Sequence, residues 1–294
     1  MSARIIDGKA VAGDLRARVG AAVAHLPGKP TLAVLIVGDD AASQVYVRSK
    51  VRETEVSGMR SIHVELATQA PEDTVIAHVR ALSDDPDVDG ILVQLPLPAH
   101  IDVERVLAQL DPDKDVDGLT VQSAGRLVLG KPGLRPCTPV GCVILAKTTG
   151  ETLAGKHAVV LGRSILVGRP AAMLFLAEDC TITMAHSKTR DLAGVCRSAD
   201  ILIPAIGRPE MVQGDWVKEG AIIIDVGINR IPAPEKGEGK TRLVGDVAFG
   251  PASVRAGWIT PVPGGVGPMT IACLLRNTVL AACARRGWTV PHGL

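Results

Sequence analysis

The chain's single tyrosine, Tyr46, stands four residues before a lysine, Lys50. Residues with this spacing share one face of a helix, so a helix here would present an aromatic ring and an amine together. Both follow the apolar run 31–37, which is typical of a buried strand. Because the chain has only three Trp, one Tyr and two Phe, the pair suggests a planar substrate stacked on Tyr46, with Lys50 at its reactive atom. For this pair alone, a solvated lysine beside a half-buried tyrosine remains the better interpretation.

Two further polar residues stand in or beside apolar surroundings. Gln94 lies near the end of the apolar run 90–95. A buried amide must be hydrogen-bonded, so Gln94 either ties down a loop or holds Lys50 or a polar substrate edge. Asp117, in the acidic stretch 111–118, is expected to point inward, where a carboxylate can accept two parallel N–H bonds from an amidine-like edge such as that of a pterin. The three other aspartates of this stretch, at 111, 113 and 115, are predicted to lie in a solvated loop with a helix cap.

A glycine-rich segment follows the apolar run 158–161 and contains Gly162, Arg163, Ser164 and, later, Gly168. Glycine permits a tight turn and lets a phosphate approach the backbone, and the next helix offers unpaired N–H groups at its N-terminus. The spacing departs from G-x-G-x-x-G, so the motif alone is weak. Its strand–turn–helix context predicts a dinucleotide site.

The end of the next strand favours NADP over NAD. A NAD site usually has Asp or Glu at this place to bind the ribose 2′-OH. Here the run 181–185 is followed by His186, Ser187 and Lys188, without a carboxylate. Together with Arg163, these residues favour a 2′-phosphate, and the alternative is a polar loop that happens to be basic.

The elements that would position these residues are strands alternating with helices. Near-continuous apolar runs predict strands that are covered on both faces. Apolar residues at helical spacing predict helices over 11–26 and 268–285, and 140–149 is predicted as a linking helix. This alternation indicates an α/β fold with parallel sheets. The predicted strands are 32–37, 62–66, 91–95, 158–161, 182–185, 201–205 and 222–226.

Less regular segments separate and close these elements. The stretch 118–139 is rich in Gly and Pro and has little periodicity, so a domain boundary is predicted near 120–150. The turns 225–229 and 245–247 each follow a predicted strand. They either only end those strands or also shape a nicotinamide pocket.

Composition limits the classes of partner. The net charge of +1 argues against a nucleic acid or membrane surface bound through bulk charge. No apolar stretch is expected to reach the length of a bilayer span, and the N-terminus lacks the apolar core of a signal peptide. The six cysteines form no Cys-x-x-Cys pair, which predicts reduced, mostly buried thiols in a cytoplasmic protein. No cluster has metal-ligand spacing, so no metal is expected.

Seven segments together resemble the bifunctional methylenetetrahydrofolate dehydrogenase/methenyltetrahydrofolate cyclohydrolase family. They occur in family order from residue 2 to about 280 and so cover nearly the whole chain. One stretch, LTVQS at 119–123, departs from the aromatic-histidine-proline stretch common there. The matching segments are SQVYVRSK at 43–50, VQLPLP at 93–98, DKDVDG at 113–118, CTPVG at 137–141, GRS at 162–164, DVGI at 225–228 and PVPGGVGPMT at 261–270.

The resemblance implies a two-domain α/β protein with a cleft between the domains. The folate domain would comprise 1–147 and a returning C-terminal helix, 268–294, and a Rossmann-like NADP-binding domain would comprise 148–267. The resemblance also implies a cytoplasmic homodimer acting on tetrahydrofolate derivatives. Its reactions would be oxidation of 5,10-methylene- to 5,10-methenyltetrahydrofolate, and hydrolysis of the product to 10-formyltetrahydrofolate.

Roles for individual residues are implied by the same motif matches. Lys50 would be the catalytic base or acid and Gln94 its partner, while Tyr46 would be the stacking platform and Asp117 the pterin anchor. Further substrate contacts would come from Pro263, Gly264 and Gly265. The cofactor contacts would be Gly162, Arg163, Ser164, Gly168, Ser187, Lys188 and Ile228.

Two other interpretations compete with this one. Tyr46 and Lys50 also fit the Tyr-x-x-x-Lys pair of short-chain dehydrogenases. In that class the glycine-rich turn precedes the pair, whereas here it follows at Gly162, which excludes that class. A non-catalytic nucleotide-binding sensor with the same fold would be free to lose Lys50 or Asp117, yet both are present.

Overall fold

The structure, a computed structural model, describes residues 2–234, 237 and 239–294, without the side chains of Ala41 and Ala42. Strands and helices alternate along most of the chain. The strands are β1 (Arg4–Ile5), β2 (Thr31–Val37), β3 (Arg60–Leu66), β4 (Gly90–Val93), β5 (His157–Leu161), β6 (Thr181–Ala185), β7 (Ile201–Pro204), β8 (Ile222–Ile223), β9 (Asn229–Pro232), β10 (Thr241–Val244) and β11 (Trp258–Ile259). The helices are α1 (Gly8–Val23), α2 (Ala41–Val56), α3 (Glu72–Asp84), α4 (Val103–Leu107), α5 (Val121–Val128), α6 (Cys137–Lys147), α7 (Gly168–Leu176), α8 (Leu192–Arg197), α9 (Phe249–Arg255) and α10 (Val266–Arg286), with a short 3-10 helix at Gly214–Trp216.

The first compact unit, called the Lys50 unit, comprises 13–137 and 271–294. Its sheet has the order β3-β2-β4, and both pairs are parallel. The central strand β2 is buried at every position, which explains its continuous apolar sequence. The side chain of Asp40 then accepts the N–H of Ser43 at 2.8 Å and caps α2. This cap begins the helix that carries Tyr46 and Lys50.

The second compact unit, called the Gly162 unit, comprises 1–12 and 138–270. Its main sheet has the order β1-β11-β8-β7-β5-β6, and all of its pairs are parallel. Strands β9 and β10 form a separate antiparallel hairpin. From β5 the chain goes to β6 on one side and then to β7 on the other. In open α/β sheets, ligands bind at the carboxyl ends of strands at such a switch point.

All seven predicted strands are present, and the α/β class is confirmed. The largest difference in bounds is at β8, which ends at Ile223 instead of 226. The stretch 118–139 contains α5, a helix that the sequence did not predict because it is short. A side-chain cap at Thr120 begins this helix. Residues 1–12 and 138–147 cluster with the Gly162 unit, while the domain bounds taken from the sequence stay a prediction.

The expectation that no apolar stretch approaches a bilayer span was wrong for α10. This helix has 21 residues and a mean hydropathy of 1.4 over its most apolar window, enough in length and composition to cross a membrane. In the structure, however, 72% of that window is buried inside the molecule. Buried core helices of folded domains have the same composition, so the sequence of α10 does not by itself indicate a membrane span.

Candidate active site

Helix α2 presents Tyr46 and Lys50 on one face, as the spacing predicted. Nζ of Lys50 lies 4.6 Å from the centroid of the Tyr46 ring and donates to Oε1 of Gln94 at 2.8 Å. The amide nitrogen of Gln94 donates to the carbonyl of Leu95 at 2.6 Å, so the amide oxygen faces the amine. Lys50 is only 4% exposed. The structure therefore brings these three predicted site residues into one cluster.

Burial changes the acid–base chemistry of this cluster. Removal of the Lys50 ammonium from water lowers its pKa below the ordinary lysine value, while the nearby charge of Asp117 opposes this shift. Gln94 satisfies the amine without adding a charge that would stabilise the ammonium. Lys50 can therefore lose its proton more readily than an exposed lysine.

Asp117 lies in the same cluster, half-buried. Burial raises the pKa of its carboxyl, and the charge of Lys50 lowers it. The backbone N–H and the thiol of Cys137 lie beside this carboxyl and favour its charged form. Burial raises the pKa of the Cys137 thiol well above its ordinary value, so the thiol stays neutral. Sequence reasoning did not assign Cys137 to the site, although its place in the CTPVG segment was the available signal.

The prediction of a solvated loop was wrong for Asp115, which is buried at 1% exposure. Its carboxylate accepts the N–H of Thr120 at 2.8 Å and the hydroxyl of Ser123 at 2.7 Å. The Thr120 hydroxyl in turn accepts the N–H of Ser123 and caps α5. The atypical stretch 119–123 is therefore anchored to Asp115, two residues before Asp117.

The turn after β5 requires glycine at two positions. Gly162 has φ +128°, and a Cβ there would lie 2.3 Å from the carbonyl oxygen of Ala205. A Cβ at Gly168 would lie 2.4 Å from the carbonyl oxygen of Gly162. Oγ of Ser164 accepts the N–H groups of Val167 and Gly168 at 3.1 and 3.3 Å, which leaves its hydroxyl hydrogen to donate. The turn thus has a bare backbone that a phosphate can approach.

The predicted basic residues follow two neighbouring strands. Strands β5 and β6 pair in parallel, so Arg163 and the loop that follows β6 lie at the same edge of the sheet. The His186 N–H donates to Oγ1 of Thr189 at 2.9 Å, which closes this loop. Ser187, Lys188 and Arg163 are all exposed. A hydroxyl, an amine and a guanidinium are therefore available at the edge where the cofactor was predicted to bind.

The remaining predicted contacts line one pocket of the Gly162 unit. Ile228 and the segment 263–265 contribute to a cavity of about 140 Å³, which Asp225 also lines. Asp225 is 3% exposed and accepts the N–H groups of Gly227, Asp246 and Val247. Burial raises the pKa of Asp225 to about 7, and these hydrogen bonds oppose that shift. The turns at 225–229 and 245–247 are thus tied together beside the pocket.

A second buried carboxylate, Asp246, ties the loop after β7 to this pocket. It is fully buried and accepts four N–H bonds of 2.7–3.0 Å. A charged group with this many donors is satisfied in the interior. The donors are the backbone N–H groups of Ile206, Gly207 and Arg208 and the side-chain amide of Asn229.

Asp246→Ala is expected to lower the free energy of unfolding by about 1–3 kcal/mol, because it leaves four partly buried N–H groups without this acceptor. Denaturant titration measures this difference. Asp215→Ala, at an exposed position of the same unit, is the control and should leave the free energy of unfolding near that of the unmutated protein. An equal result for both variants would contradict the importance of these bonds.

All six cysteines are free and buried, as predicted, while the cytoplasmic location stays a prediction. Among residues 2–234, 237 and 239–294, no group of three His, Cys, Asp or Glu side chains could hold a metal ion. A parallel sheet with a glycine turn at its switch point is typical of dinucleotide-binding α/β proteins. A buried lysine with a lowered pKa is typical of an enzyme active site. Together these features indicate a dinucleotide-binding α/β enzyme.

Comparison with known proteins narrows this class. The family model for the tetrahydrofolate dehydrogenase/cyclohydrolase catalytic domain matches residues 6–117, and the NAD(P)-binding domain model of that family matches 136–286. The bifunctional protein FolD of Hyphomonas neptunium (strain ATCC 15444) is 68% identical over 295 residues and is matched over 100% of both chains. The Campylobacter jejuni bifunctional FolD enzyme has a TM-score of 0.92 and 42% identity over 97% of this chain and 100% of its own. A Trypanosoma brucei FolD in complex with NADP and an inhibitor has a TM-score of 0.92 and 39% identity over 98% and 100%.

The chain belongs to the tetrahydrofolate dehydrogenase/cyclohydrolase family. It is a bifunctional enzyme with the dehydrogenase and cyclohydrolase activities of that family. The family resemblance seen in the sequence is thereby confirmed, as is an NAD(P)-binding domain in the C-terminal part of the chain.

Proposed function

We propose that the protein oxidises 5,10-methylenetetrahydrofolate to the 5,10-methenyl compound with NADP, and hydrolyses that product to 10-formyltetrahydrofolate. The observation that carries this proposal is the buried amine of Lys50, 2.8 Å from Gln94 and 4.6 Å from the Tyr46 ring. An aromatic platform, a neutral amide and a readily deprotonated amine are the groups that the two reactions need.

The oxidation step chiefly requires orientation. Loss of hydride from a carbon flanked by two nitrogens leaves a resonance-stabilised cation, so the substrate needs little further activation. Bound NADP supplies the hydride acceptor. Tyr46 stacks on the flat pterin, and Asp117 accepts paired N–H bonds from its amidine-like edge. Pro263, Gly264 and Gly265 are proposed as further substrate contacts.

The hydrolysis step requires a proton acceptor for the attacking water. An ordinary lysine, with a pKa of about 10.4, is a poor base near neutral pH. Burial lowers the pKa of Lys50. The hydrogen bond to the neutral Gln94 adds no negative charge that would raise this pKa again. Lys50 in its neutral form is therefore proposed to take the proton from water.

NADP fits the residues of the Gly162 unit. At Gly162 and Gly168 a side chain would collide with the backbone, and such bare turns admit a pyrophosphate. The Ser164 hydroxyl can donate to a phosphate oxygen, and Arg163 can form paired bonds to a 2′-phosphate together with Ser187 and Lys188. The relative from Trypanosoma brucei, described with NADP, supports this choice. Ile228 is proposed as a contact in the nicotinamide pocket.

NADP is expected to be preferred over NAD by on the order of ten-fold or more, if one charged contact is worth about 1.5 kcal/mol. Arg163→Ala should narrow this gap mainly by weakening NADP, since NAD lacks the 2′-phosphate. Steady-state kinetics with both cofactors measure the effect. Arg197→Ala, which removes an exposed arginine at the end of α8, should leave the ratio unchanged. Equal or better efficiency of the unmutated protein with NAD would reject the assignment.

The proposed reactions are tested directly with the purified protein. Absorbance should show NADPH formation from 5,10-methylenetetrahydrofolate, and separate loss of added 5,10-methenyltetrahydrofolate. A protein that binds NADP but catalyses neither reaction would be the non-catalytic sensor instead. The homodimer, the cytoplasmic location and the absence of nucleic-acid and membrane partners stay predictions.

A further inference from the structure

The segments that carry Asp117 and Cys137 lie side by side in the Lys50 unit. A Cβ at Gly118 would lie 2.7 Å from the nitrogen of Pro136 and 2.9 Å from the carbonyl carbon of Arg135. Sγ of Cys137 lies 3.2 Å from the carbonyl oxygen of Val116. The geometry of the Asp117–Cys137 pair therefore depends on how these two segments, 116–118 and 135–137, are held together.

A residue of α10, Asn277, links the two segments. Its Nδ2 donates to the carbonyl of Val116 and to the carbonyl of Arg135, at 2.8 Å each, and lies 3.6 Å from Sγ of Cys137. A primary amide nitrogen has two hydrogens, so each segment receives one. Asn277 is 4% exposed. Loss of its amide would leave two carbonyl oxygens in a buried place with fewer donors.

We propose that Asn277 is a positioning residue for folate: it acts through the backbone at 116 and 135 to hold Asp117 and Cys137 in the geometry that binds the substrate. The residue contacts backbone carbonyls next to the site, so its effect passes through Asp117. This inference rests on the proposed role of Asp117 as the pterin anchor. An asparagine with a purely structural role would stabilise the fold. Its loss would not raise the KM for folate more than the KM for NADP.

Asn277→Leu preserves the approximate volume and removes both donors. We expect the KM for 5,10-methylenetetrahydrofolate to rise at least about ten-fold, as when one or two hydrogen bonds are lost. The KM for NADP should change less than about two-fold, because the Gly162 unit is untouched. The matched control is Thr278→Val on the same helix. Thr278 is fully buried, and its hydroxyl donates within α10 to Leu274, so this variant should lose stability without a change in folate KM.

The outcomes are distinct. If Asn277→Leu lowers the unfolding midpoint as Thr278→Val does but leaves the folate KM at its original value, Asn277 is structural only and the inference is wrong. If Asn277→Leu does not fold, Asn277→Gln replaces it: an amide displaced by one methylene should still raise the folate KM and spare that for NADP, and an unchanged folate KM would overturn the inference.

A parallel measurement on Asp117→Ala separates this inference from the proposal on which it rests. If Asp117→Ala weakens folate binding and the Asn277 variants leave it unchanged, only the positioning role is rejected. Unchanged folate binding in Asp117→Ala rejects the anchor, and the positioning role with it. Weaker binding in both supports the inference.

Discussion

Lys50→Met is expected to lower the cyclohydrolase rate by about 100- to 10,000-fold, the usual contribution of a general base, and to leave much of the hydride transfer. Methionine keeps the length and packing of the side chain but cannot accept a proton. Only the attack of water requires a proton acceptor, whereas hydride transfer depends on orientation. Separate assays of NADPH formation and of 5,10-methenyltetrahydrofolate hydrolysis measure the two effects.

The control for this variant is Arg48→Met, which replaces an exposed basic residue of the same helix and should retain both activities. Stability supplies a second check. Burial makes the pKa of Lys50 lower in the folded protein than in the unfolded chain. The charged amine therefore destabilises the fold at low pH, and this destabilisation disappears as the pH rises to the pKa of the unfolded chain. Lys50→Met should therefore unfold at no lower temperature at neutral pH. Equal loss of both activities with unchanged substrate binding would contradict the division of roles.

Asp117→Ala is expected to weaken folate binding about ten- to hundred-fold and so to damage both activities. A hydrogen bond to a charged group is typically worth about 1.5–3 kcal/mol, and about 1.4 kcal/mol corresponds to ten-fold in affinity. The variant also removes the carboxylate that lies beside the N–H and thiol of Cys137. Titration of the protein with folate substrate measures the loss of affinity directly.

Asp113→Ala provides the matched control for this prediction. Asp113 belongs to the same acidic stretch, but it is exposed and pairs with Arg126 at the surface, where an ion pair contributes little. Its removal should leave folate affinity near that of the unmutated protein. If Asp117→Ala bound folate as well as Asp113→Ala does, Asp117 could not be the pterin anchor.

The sequence by itself predicted the features that depend on neighbours along the chain. Mostly apolar runs located seven of the eleven described strands. Strands β2 and β4 are buried at every position, as expected for strands covered on both faces. That expectation was wrong for β3, which is partly exposed. The spacing of Tyr46 and Lys50 placed both on one helix face, which the structure shows. The glycine turn at 162–168 and the basic residues after β6 could also be predicted from the sequence, because each directly follows a predicted strand.

Only the tertiary structure decided which distant residues complete the site. Asp115 was expected in solvent, but a hydroxyl and backbone N–H groups from 119–123 satisfy its charge in the interior. Asn277 had no local pattern that distinguished it from other amides, and Cys137 was marked only by its place in the CTPVG segment. Their hydrogen-bond partners, the carbonyl at 116 for Cys137 and the carbonyls at 116 and 135 for Asn277, are remote in sequence. Such hydrogen bonds arise when folding buries polar groups together, so no spacing along the chain encodes them.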